Sequence, residues 1–323
     1  MKAIVQDVYG TADVLELRDV ATPEVGDDEV LVRVHAAGVD RGVWHLMTGL
    51  PYLVRIAGVG LRRPKTRVRG FDLAGTVEAV GTRVTRFRPG DEVMGTGDGS
   101  FAEYAAAPEV KLAPKPAGLT FEQAAAVPVS GSTALQAVRD QGRIHDGDRV
   151  LILGASGGVG TFAVQLAKAF GGEVTGVCST AKVDLVRSLG ADHVVDYTRD
   201  DPTDRRRCYD LILDIGGNRP VPRLRRALTD RGTLVIVGGE GGGRWFGGLQ
   251  RPARALVTSP FVRQRLRTFV AREHYEQLLV LTELVNAGRL TPVVDRTYPL
   301  SEAPEAIRYL ESGHARGKVV VSV

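Results

Sequence analysis

A glycine-rich turn between a buried strand and an amphipathic helix constrains the fold of this chain more than any other sequence feature. The strand at residues 149–153 is a continuous apolar run, which is typical of a strand buried on both faces of a parallel sheet. Residues 154–160 then read GASGGVG, and apolar residues recur at helical spacing over residues 161–170. Between a strand and a helix, a Gly-x-x-Gly-x-x-Gly sequence predicts a dinucleotide site. The alternative is a glycine-rich turn without a ligand.

The glycines of this turn have different roles in such a site. Gly154 permits the turn off the strand, Gly157 lets the backbone approach a pyrophosphate, and Gly160 allows the helix to pack closely on the sheet. The helix N-terminus offers free N–H groups and partial positive charge to phosphate. We therefore assign cofactor binding to the following residues of the turn: Gly154, Ser156, Gly157, Gly158, Val159 and Gly160.

The pattern of elements divides the chain into a β-rich first part and an alternating second part. Short alternating strands with frequent Gly and Pro dominate the first ~120 residues and predict a compact barrel-like domain. A helix is predicted at residues 182–189, and strands are predicted at residues 173–178, 193–195, 209–214 and 233–237. Alternating strands and helices imply parallel βαβ units, so the second part is predicted to be a doubly wound sheet.

Length and composition place the chain among globular proteins. Its 323 residues are 43% hydrophobic and 25% charged, which predicts two domains and excludes disordered and fibrous classes. No apolar run reaches the ~18 residues of a membrane span, and the first residues lack the apolar core of a signal peptide. We therefore expect a soluble cytoplasmic protein. Cys178 and Cys208 are too few for a zinc cluster or a disulfide framework.

The net charge of +4 hides two strongly basic segments. Residues 41–71 and residues 241–272 each contain seven Lys or Arg and no acid, so the remainder of the chain is acidic. This distribution argues against a general nucleic-acid binder. Within residues 244–270 the arginines alternate with aromatic and aliphatic residues, which is typical either of a packed helix with a solvated Arg face or of an interfacial amphipathic helix. The second interpretation predicts contact with an anionic membrane surface.

The residues after the second strand of the alternating part indicate which dinucleotide is bound. NAD-binding folds usually place an Asp or Glu about 20 residues after the first glycine, where it holds the ribose 2′-hydroxyl. Here residues 178–182 read CSTAK, so no carboxylate would repel a 2′-phosphate, and two hydroxyls and an ammonium could bind it. The sequence therefore predicts NADPH rather than NADH. The alternative for Lys182 is a solvated lysine at a helix start.

Motifs along nearly the whole chain resemble the medium-chain dehydrogenase/reductase superfamily, and within it the zinc-free NADPH:quinone oxidoreductase branch. They are residues 70–77 (GFDLAGTV), 89–93 (PGDEV), 99–104 (GSFAEY), 154–160, 189–192 (LGAD) and 313–320 (GHARGKVV). The resemblance implies an α/β fold with a GroES-like β-rich catalytic domain and a doubly wound Rossmann nucleotide-binding domain. The implied catalytic domain is 1–122 continued by 273–323, and the implied NADPH-binding domain is 123–272. It also implies a homodimer.

The resemblance extends the predicted cofactor site beyond the glycine-rich turn. It places Ser179, Lys182 and Tyr197 around the adenosine 2′-phosphate. It implies that a turn containing His314, Arg316 and Gly317 folds back on the cofactor. At the carboxyl ends of two strands, the nicotinamide half would be lined by Asp214, Gly216, Val237, Gly238 and Gly239.

The positions that hold zinc in metal-dependent relatives contain other residues here. The resemblance puts Asp40 in place of a cysteine and Phe71-Asp72 in place of a His-Glu pair, and it finds no four-cysteine lobe. Thiolate and imidazole ligands are missing, so we expect no zinc, and the branch implies no flavin. The substrates that accept hydride without a Lewis acid are quinones and conjugated enones.

The resemblance places Asp40, His45, Tyr52 and Thr133 at the catalytic cleft, and these are the predicted catalytic residues. Many quinone reductases of this branch have Asn and Asp where this chain has Asp40 and Val43, so substrate hydrogen bonding is expected to differ. His45 could hydrogen-bond a carbonyl or relay a proton, or it could be a packing histidine. Asp40 could equally be a turn or capping residue. The alternatives to a quinone or enone reductase are an NADP-dependent alcohol or carbonyl oxidoreductase and a non-catalytic NADPH-binding sensor.

Overall fold

A computed structural model describes residues 1–204, 207–217, 219–238 and 243–323. In these ranges the strands, β1 to β15 in chain order, are Lys2–Val5, Glu16–Asp19, Glu29–Val39, Asp72–Val80, Glu92–Thr96, Tyr104–Pro108, Leu112–Pro114, Arg149–Leu153, Glu173–Cys178, His193–Asp196, Tyr209–Asp214, Leu228–Ile236, Arg265–Thr268, Val294–Pro299 and Lys318–Ser322. The helices, α1 to α11, are Arg41–Thr48, Tyr52–Val54, Phe121–Ala125, Pro128–Leu135, Gly158–Ala169, Val183–Ser188, Val221–Ala227, Gly243–Phe246, Gln250–Thr258, Tyr275–Asn286 and Ala303–Glu311.

The chain divides into two compact units. The first unit is Met1–Ser132 together with Glu273–Val323, and the second is Thr133–Arg272. The division falls after Ser132, later than the sequence-based boundary at residue 122, because α3 contacts β3 and β4 and therefore belongs to the first unit. A capping box at the start of α3, formed by Thr120 and Gln123, holds this helix in place.

The described strands of the second unit form a six-stranded parallel sheet in the order β10-β9-β8-β11-β12-β13. This is the strand order of a doubly wound Rossmann sheet, which confirms the predicted fold class. β8, β9 and β11 have the predicted bounds, and α5 begins at Gly158 rather than at residue 161. The apolar residues of β8, β9, β11 and β12 form the buried core of this unit.

β13 was not predicted, because it lies in the Arg-rich segment that sequence patterning assigned to a helix. Its residues Arg265 to Thr268 alternate, with Leu266 buried and the flanking arginines exposed. This period of two is typical of a strand. With only four residues, the strand is too short to be recognised from the sequence of an Arg-rich segment.

Seven of the described strands of the first unit form a largely antiparallel sheet, and β1 and β2 form a separate antiparallel pair. The order of the larger sheet is β14-β15-β3-β4-β5-β7, with β6 paired to β3, and only β14 and β15 are parallel. The pairing of β15 with β3 joins the end of the chain to its first part, and it brings residue 318 close to the start of α1. No helix in the described part of the chain is long and apolar enough to cross a membrane.

Candidate functional site

The glycine-rich turn has the geometry that its three glycines predict. Gly154 has a φ of +82°, a conformation that favours glycine. A Cβ on Gly160 would lie 2.0 Å from the carbonyl oxygen of Gly154, so only glycine allows α5 to pack this closely on the turn. A Cβ on Gly157 would meet only the carbonyl oxygen of Gly154, at 3.7 Å, so there is room beside this part of the backbone.

The N-terminus of α5 is free to bind an anion. Its N-cap is Gly157, with extended backbone and no side chain that caps the first amides of the helix. Uncapped amides and the helix dipole together attract phosphate oxygens. Ser156 is almost fully buried at the start of this turn. The open backbone at Gly157 and the uncapped amides therefore fit the pyrophosphate of a dinucleotide.

The residues predicted to bind the 2′-phosphate lie close together at the carboxyl edge of the sheet. The N–H of Tyr197 donates to the carbonyl of Cys178 at 3.1 Å, which brings the end of β10 against the end of β9. Ser179 directly precedes a single 3-10 turn that ends at Lys182, and its side chain makes no capping hydrogen bond to that turn. The Tyr197 side chain is 54% exposed, so its ring is accessible to a ligand.

Asp196 also lies at this edge, and sequence reasoning missed it. Its carboxylate accepts hydrogen bonds from the hydroxyls of Thr180 at 2.5 Å and Thr198 at 2.7 Å, and Arg199 lies 3.6 Å away. These hydrogen bonds lower the pKa of Asp196, and the bond from Thr180 has the largest effect. A carboxylate is therefore present beside Thr180, but its oxygens already have partners. The parallel register that pairs Asp196 with Cys178 is the signal that could have revealed it.

Backbone hydrogen bonds connect the loops that contain the predicted nicotinamide-side residues. The N–H of Gly216 donates to Leu153 at 3.1 Å, and those of Val237 and Gly238 donate to the carbonyl of Asp214 at 3.0 and 3.2 Å. This network fixes the loops at the carboxyl ends of β8, β11 and β12. Gly239 lies outside the described residues.

The Asp214 side chain is buried and already engaged. Its carboxylate forms an ion pair with Arg251 and accepts a hydrogen bond from the N–H of Gly217 at 3.1 Å. Burial raises the pKa of Asp214, against the opposing effect of the Arg251 charge. Arg251 also donates to the carbonyl of Arg219 at 2.7 Å. Asp214 thus anchors α9 through Arg251, a partner that the sequence did not reveal, and its place beside the nicotinamide stays a prediction.

Asp40, in the first unit, lies where β3 becomes α1. Its Oδ1 accepts hydrogen bonds from the N–H groups of Gly42 at 2.7 Å and Val43 at 3.2 Å, so it is the N-cap of α1. The capping role, which the sequence left open as an alternative, is the one that the structure places on Oδ1. The other oxygen, Oδ2, points to a buried cation.

That cation is the ammonium group of Lys318, which sequence reasoning did not select. Lys318 Nζ lies 2.7 Å from Asp72 Oδ2 and 3.8 Å from Asp40 Oδ2, and both Lys318 and Asp72 are buried. The N–H of Val129 donates to the other oxygen of Asp72 at 2.8 Å. Burial raises the pKa of Asp72 to about 7 against the opposing effect of Lys318. Burial alone would lower the pKa of Lys318, but the two carboxylates outweigh it and raise it.

The side chains of this cluster do not fit a zinc ion. The side chain of Phe71 has no donor atom, and Asp40 and Asp72 already face the Lys318 ammonium. Among the described residues no group of three or more His, Cys, Asp or Glu could hold a metal ion. The Lys318 ammonium supplies positive charge at this position.

His45 has its ring orientation set by the backbone. Its Nδ1 lies 2.7 Å from the carbonyl oxygen of Leu50, and because a carbonyl only accepts, Nδ1 is the donor. In the neutral ring Nε2 is then an acceptor, so His45 donates from Nε2 only as an imidazolium. Tyr52 begins α2, with the Arg55 guanidinium 4.8 Å from its ring centre. Thr133 lies on α4, at the start of the second unit.

The predicted cofactor turn near the C-terminus belongs to the first unit. His314 is exposed, and the N–H of Arg316 donates to Asp295 at 2.9 Å. Gly317 has a φ of +97°, and a Cβ there would lie 2.6 Å from the carbonyl oxygen of Val293, so glycine is required. The turn is well defined within its own unit, and its contact with a cofactor stays a prediction.

Comparisons with known proteins agree with this geometry. Residues 26–117 match the alcohol dehydrogenase GroES-like domain family, and residues 189–321 match a family described as zinc-binding dehydrogenase. The chain is 34% identical to a mitochondrial NAD(P)H oxidoreductase of Mus musculus, RTN4IP1, over 100% of this chain and 89% of the relative. It is 33% identical to a 2-methylene-furan-3-one reductase of Solanum lycopersicum, over 99% of this chain and 79% of the relative.

Solved structures give the same result. The quinone oxidoreductase of Coxiella burnetii is similar with a TM-score of 0.86 and 30% identity, covering 100% of this chain and 99% of that one. A two-unit fold with a GroES-like domain and a Rossmann sheet, together with these matches, defines an oxidoreductase. The chain belongs to the medium-chain dehydrogenase/reductase superfamily, among its quinone oxidoreductases.

Proposed function

We propose that this chain is an NADPH-dependent oxidoreductase that transfers hydride to a quinone or a conjugated enone without zinc or flavin. The uncapped N-terminus of α5 behind the open backbone of Gly157 carries the proposal, because it offers a phosphate site at the carboxyl edge of a Rossmann sheet. Bound NADPH would supply the hydride. The chain's own residues hold the pyrophosphate at residues 154–160 and the 2′-phosphate at Ser179, Lys182 and Tyr197.

Two relatives support the choice of NADPH. A mycobacterial protein solved in complex with NADPH is similar with a TM-score of 0.85 and 28% identity, covering 100% of both chains. An Arabidopsis thaliana relative, 34% identical over 99% of this chain and 79% of its own length, is an NADPH-dependent alkenal/one oxidoreductase. In this chain Asp196 opposes a 2′-phosphate less than a free carboxylate would, because Thr180 and Thr198 satisfy its oxygens and Arg199 lies nearby.

The charge of the first unit supports a metal-free reduction. A substrate carbonyl gains negative charge as it accepts hydride, and hydrogen bonds or cations must stabilise that charge. Asp40 would repel it, but two backbone N–H groups on Oδ1 and the Lys318 ammonium, 3.8 Å from Oδ2, reduce that repulsion. His45 as an imidazolium and the Tyr52 hydroxyl are the donors that we assign to the substrate oxygen. Quinones and enones are electrophilic enough to react under these conditions.

Substrate specificity can be tested by following NADPH absorbance. Steady consumption with 1,4-benzoquinone or with a conjugated enone, and none with simple alcohols plus NADP⁺, is the expected result. A second candidate is alcohol oxidation, because an NAD-dependent alcohol dehydrogenase structure is similar with a TM-score of 0.84 and 30% identity, covering 100% of both chains. Alcohol turnover would favour that candidate, and NADPH binding without turnover of any substrate would favour a sensor.

The metal, flavin, assembly and compartment proposals need separate measurements. Activity that survives chelation in metal-free buffer, with no flavin absorbance in the purified protein, is expected for a zinc-free and flavin-free enzyme. Sedimentation velocity tests the proposed homodimer. The cytoplasmic location stays a prediction for fractionation to test, since relatives include mitochondrial and chloroplast proteins.

A further inference from the structure

Exposed large apolar side chains are concentrated in one stretch of the second unit. Among residues whose exposure the structure describes, fourteen large apolar side chains are exposed, and six of them lie between residues 245 and 270. These six are 54% to 90% exposed: Trp245, Phe246, Leu256, Val257, Phe261 and Val270. We call residues 243–270 the α8–α9 surface. Clusters of this kind in a soluble fold mark an interaction site.

The geometry of α9 shows which of its faces is directed outward. Arg251 pairs with Asp214 and Ala255 is fully buried, so these residues, one helical turn apart, define the inward face. Leu256 and Val257 are exposed on the opposite side, beside the exposed Arg254. The outward face of α9 is therefore apolar and basic, the reverse of a helix that merely covers a core.

The other exposed side chains lie on elements that adjoin α9. The 3-10 turns Gly247–Leu249 and Ser259–Phe261 both contact α9, and α8 contacts the first of them. Trp245 and Phe246 are on α8, and Phe261 ends the second turn. The apolar side chains therefore extend along a continuous stretch of chain on both sides of α9.

The charge of this surface has one sign. Its arginines are exposed except Arg251, and residues 243–272 contain no acid. The exposed arginines are Arg244, Arg254, Arg263, Arg265 and Arg267, with Arg272 just beyond. Arginines beside outward apolar residues match an anionic lipid surface, where headgroups take the charge and the acyl region takes the apolar side chains.

We propose that the α8–α9 surface binds peripherally to anionic lipid bilayers. A two-fold contact between copies through this surface would bring two basic, acid-free patches together, whereas an anionic bilayer complements their charge. With nine residues, α9 is too short to cross a bilayer, so in this proposal it lies along the bilayer surface. The proposal concerns a surface of the second unit and does not depend on which substrate the enzyme reduces.

Vesicle cosedimentation tests the proposal with the full-length protein. We expect binding to phosphatidylcholine vesicles that contain phosphatidylglycerol, little binding to phosphatidylcholine alone, and weaker binding when salt rises from about 0.1 M to about 1 M, as the Debye length falls from ~10 Å to ~3 Å. The double variant Leu256→Ser with Val257→Ser should bind roughly tenfold less or weaker still, since each buried methylene contributes about fourfold to membrane partition. Arg254→Gln with Arg263→Gln should reduce the salt sensitivity.

Matched controls separate this surface from other apolar residues. Val8→Ser with Val110→Ser removes two comparably exposed side chains outside both basic segments and should leave vesicle binding unchanged. Equal loss in this control, or loss only in Ile56→Ser with Leu61→Ser in the other basic segment, would overturn the assignment. Absence of binding at low salt would also overturn it. Sedimentation velocity without lipid tests whether a second copy of the chain binds this surface instead. A dimer that dissociates in the Leu256/Val257 variant would make this surface a subunit interface.

Discussion

Lys318 Nζ lies 2.7 Å from Asp72 Oδ2 in the interior of the first unit, and both side chains are buried. Asp40 joins the pair from the start of α1, so one ammonium serves two carboxylates. Ion pairs removed from water become strongly destabilising when one partner is lost, because the remaining charge is neither solvated nor paired. The cluster therefore links the C-terminal strand, β4 and the N-cap of α1.

Loss of the Lys318 ammonium should destabilise the first unit. We expect Lys318→Met to lower the free energy of unfolding by about 3–5 kcal/mol at alkaline pH, because Asp72 and Asp40 lose their counterion and Asp72 must either stay charged in the interior or take up a proton there. Urea unfolding followed by circular dichroism measures the change. The matched control is Lys2→Met, which breaks the exposed pair with Asp19 and should have little effect. Equal effects of the two variants would contradict a role for burial in this cluster.

Asp72 should make stability fall as the pH rises. Burial raises its pKa from 3.8 to about 7, so between these values the folded chain holds a proton that the unfolded chain has released. Stability then decreases with rising pH by at most about 1.4 kcal/mol per pH unit from this group. Asp72→Asn cannot ionise and should lack this part of the decline.

Unfolding free energies of the wild type and Asp72→Asn at about pH 5 and about pH 7.5 test this dependence. We expect the stability of Asp72→Asn relative to the wild type to increase from the lower pH to the higher, because the wild type loses stability over this interval while its folded state still holds the Asp72 proton. Parallel curves over this range would show that Asp72 stays ionised beside Lys318 and does not hold a proton.

Features formed by neighbouring residues could be predicted from the sequence, whereas contacts formed by pairing between distant strands could not. The turn at residues 154–160 was recognisable because its strand, glycines and helix are contiguous. Lys318 lies far along the chain from Asp40 and Asp72, and only the pairing of β15 with β3 and of β3 with β4 brings them together. Asp196 was missed for the same reason, since the register of β10 against β9 places it beside Cys178.

Lys182 should discriminate between the two nicotinamide cofactors. Its removal in Lys182→Ala is expected to raise the KM for NADPH about tenfold, because a hydrogen bond between charged groups is lost, and to leave the KM for NADH nearly unchanged. Steady-state kinetics with each cofactor measure the ratio. Lys111→Ala, in the first unit, is a control for the loss of a lysine elsewhere. A wild-type preference for NADH that Lys182→Ala does not alter would refute NADPH specificity.

Arg251 should be required to hold α9 on the sheet. In Arg251→Met the buried Asp214 carboxylate loses its counterion, so we expect about 3–5 kcal/mol of destabilisation, reversed in part by a second change, Asp214→Asn. Arg254→Met, on the outward face of the same helix, should change stability little. Thermal unfolding of the wild type, Arg251→Met, Asp214→Asn and the double variant measures the coupling. An additive double variant would mean that the two side chains do not depend on each other.

His45 should act through proton donation rather than by positioning α1. His45→Ala removes both the ring and the hydrogen bond to Leu50, whereas His45→Asn can retain a donor to that carbonyl but carries no titratable group. If the imidazolium donates a proton to the reduced substrate, both variants should lower kcat for a quinone by roughly 10²-fold or more and leave the Kd for NADPH unchanged. Recovery of kcat in His45→Asn would instead assign His45 to positioning. Unchanged kinetics in both variants would remove it from the mechanism, leaving Tyr52 as the donor to test next.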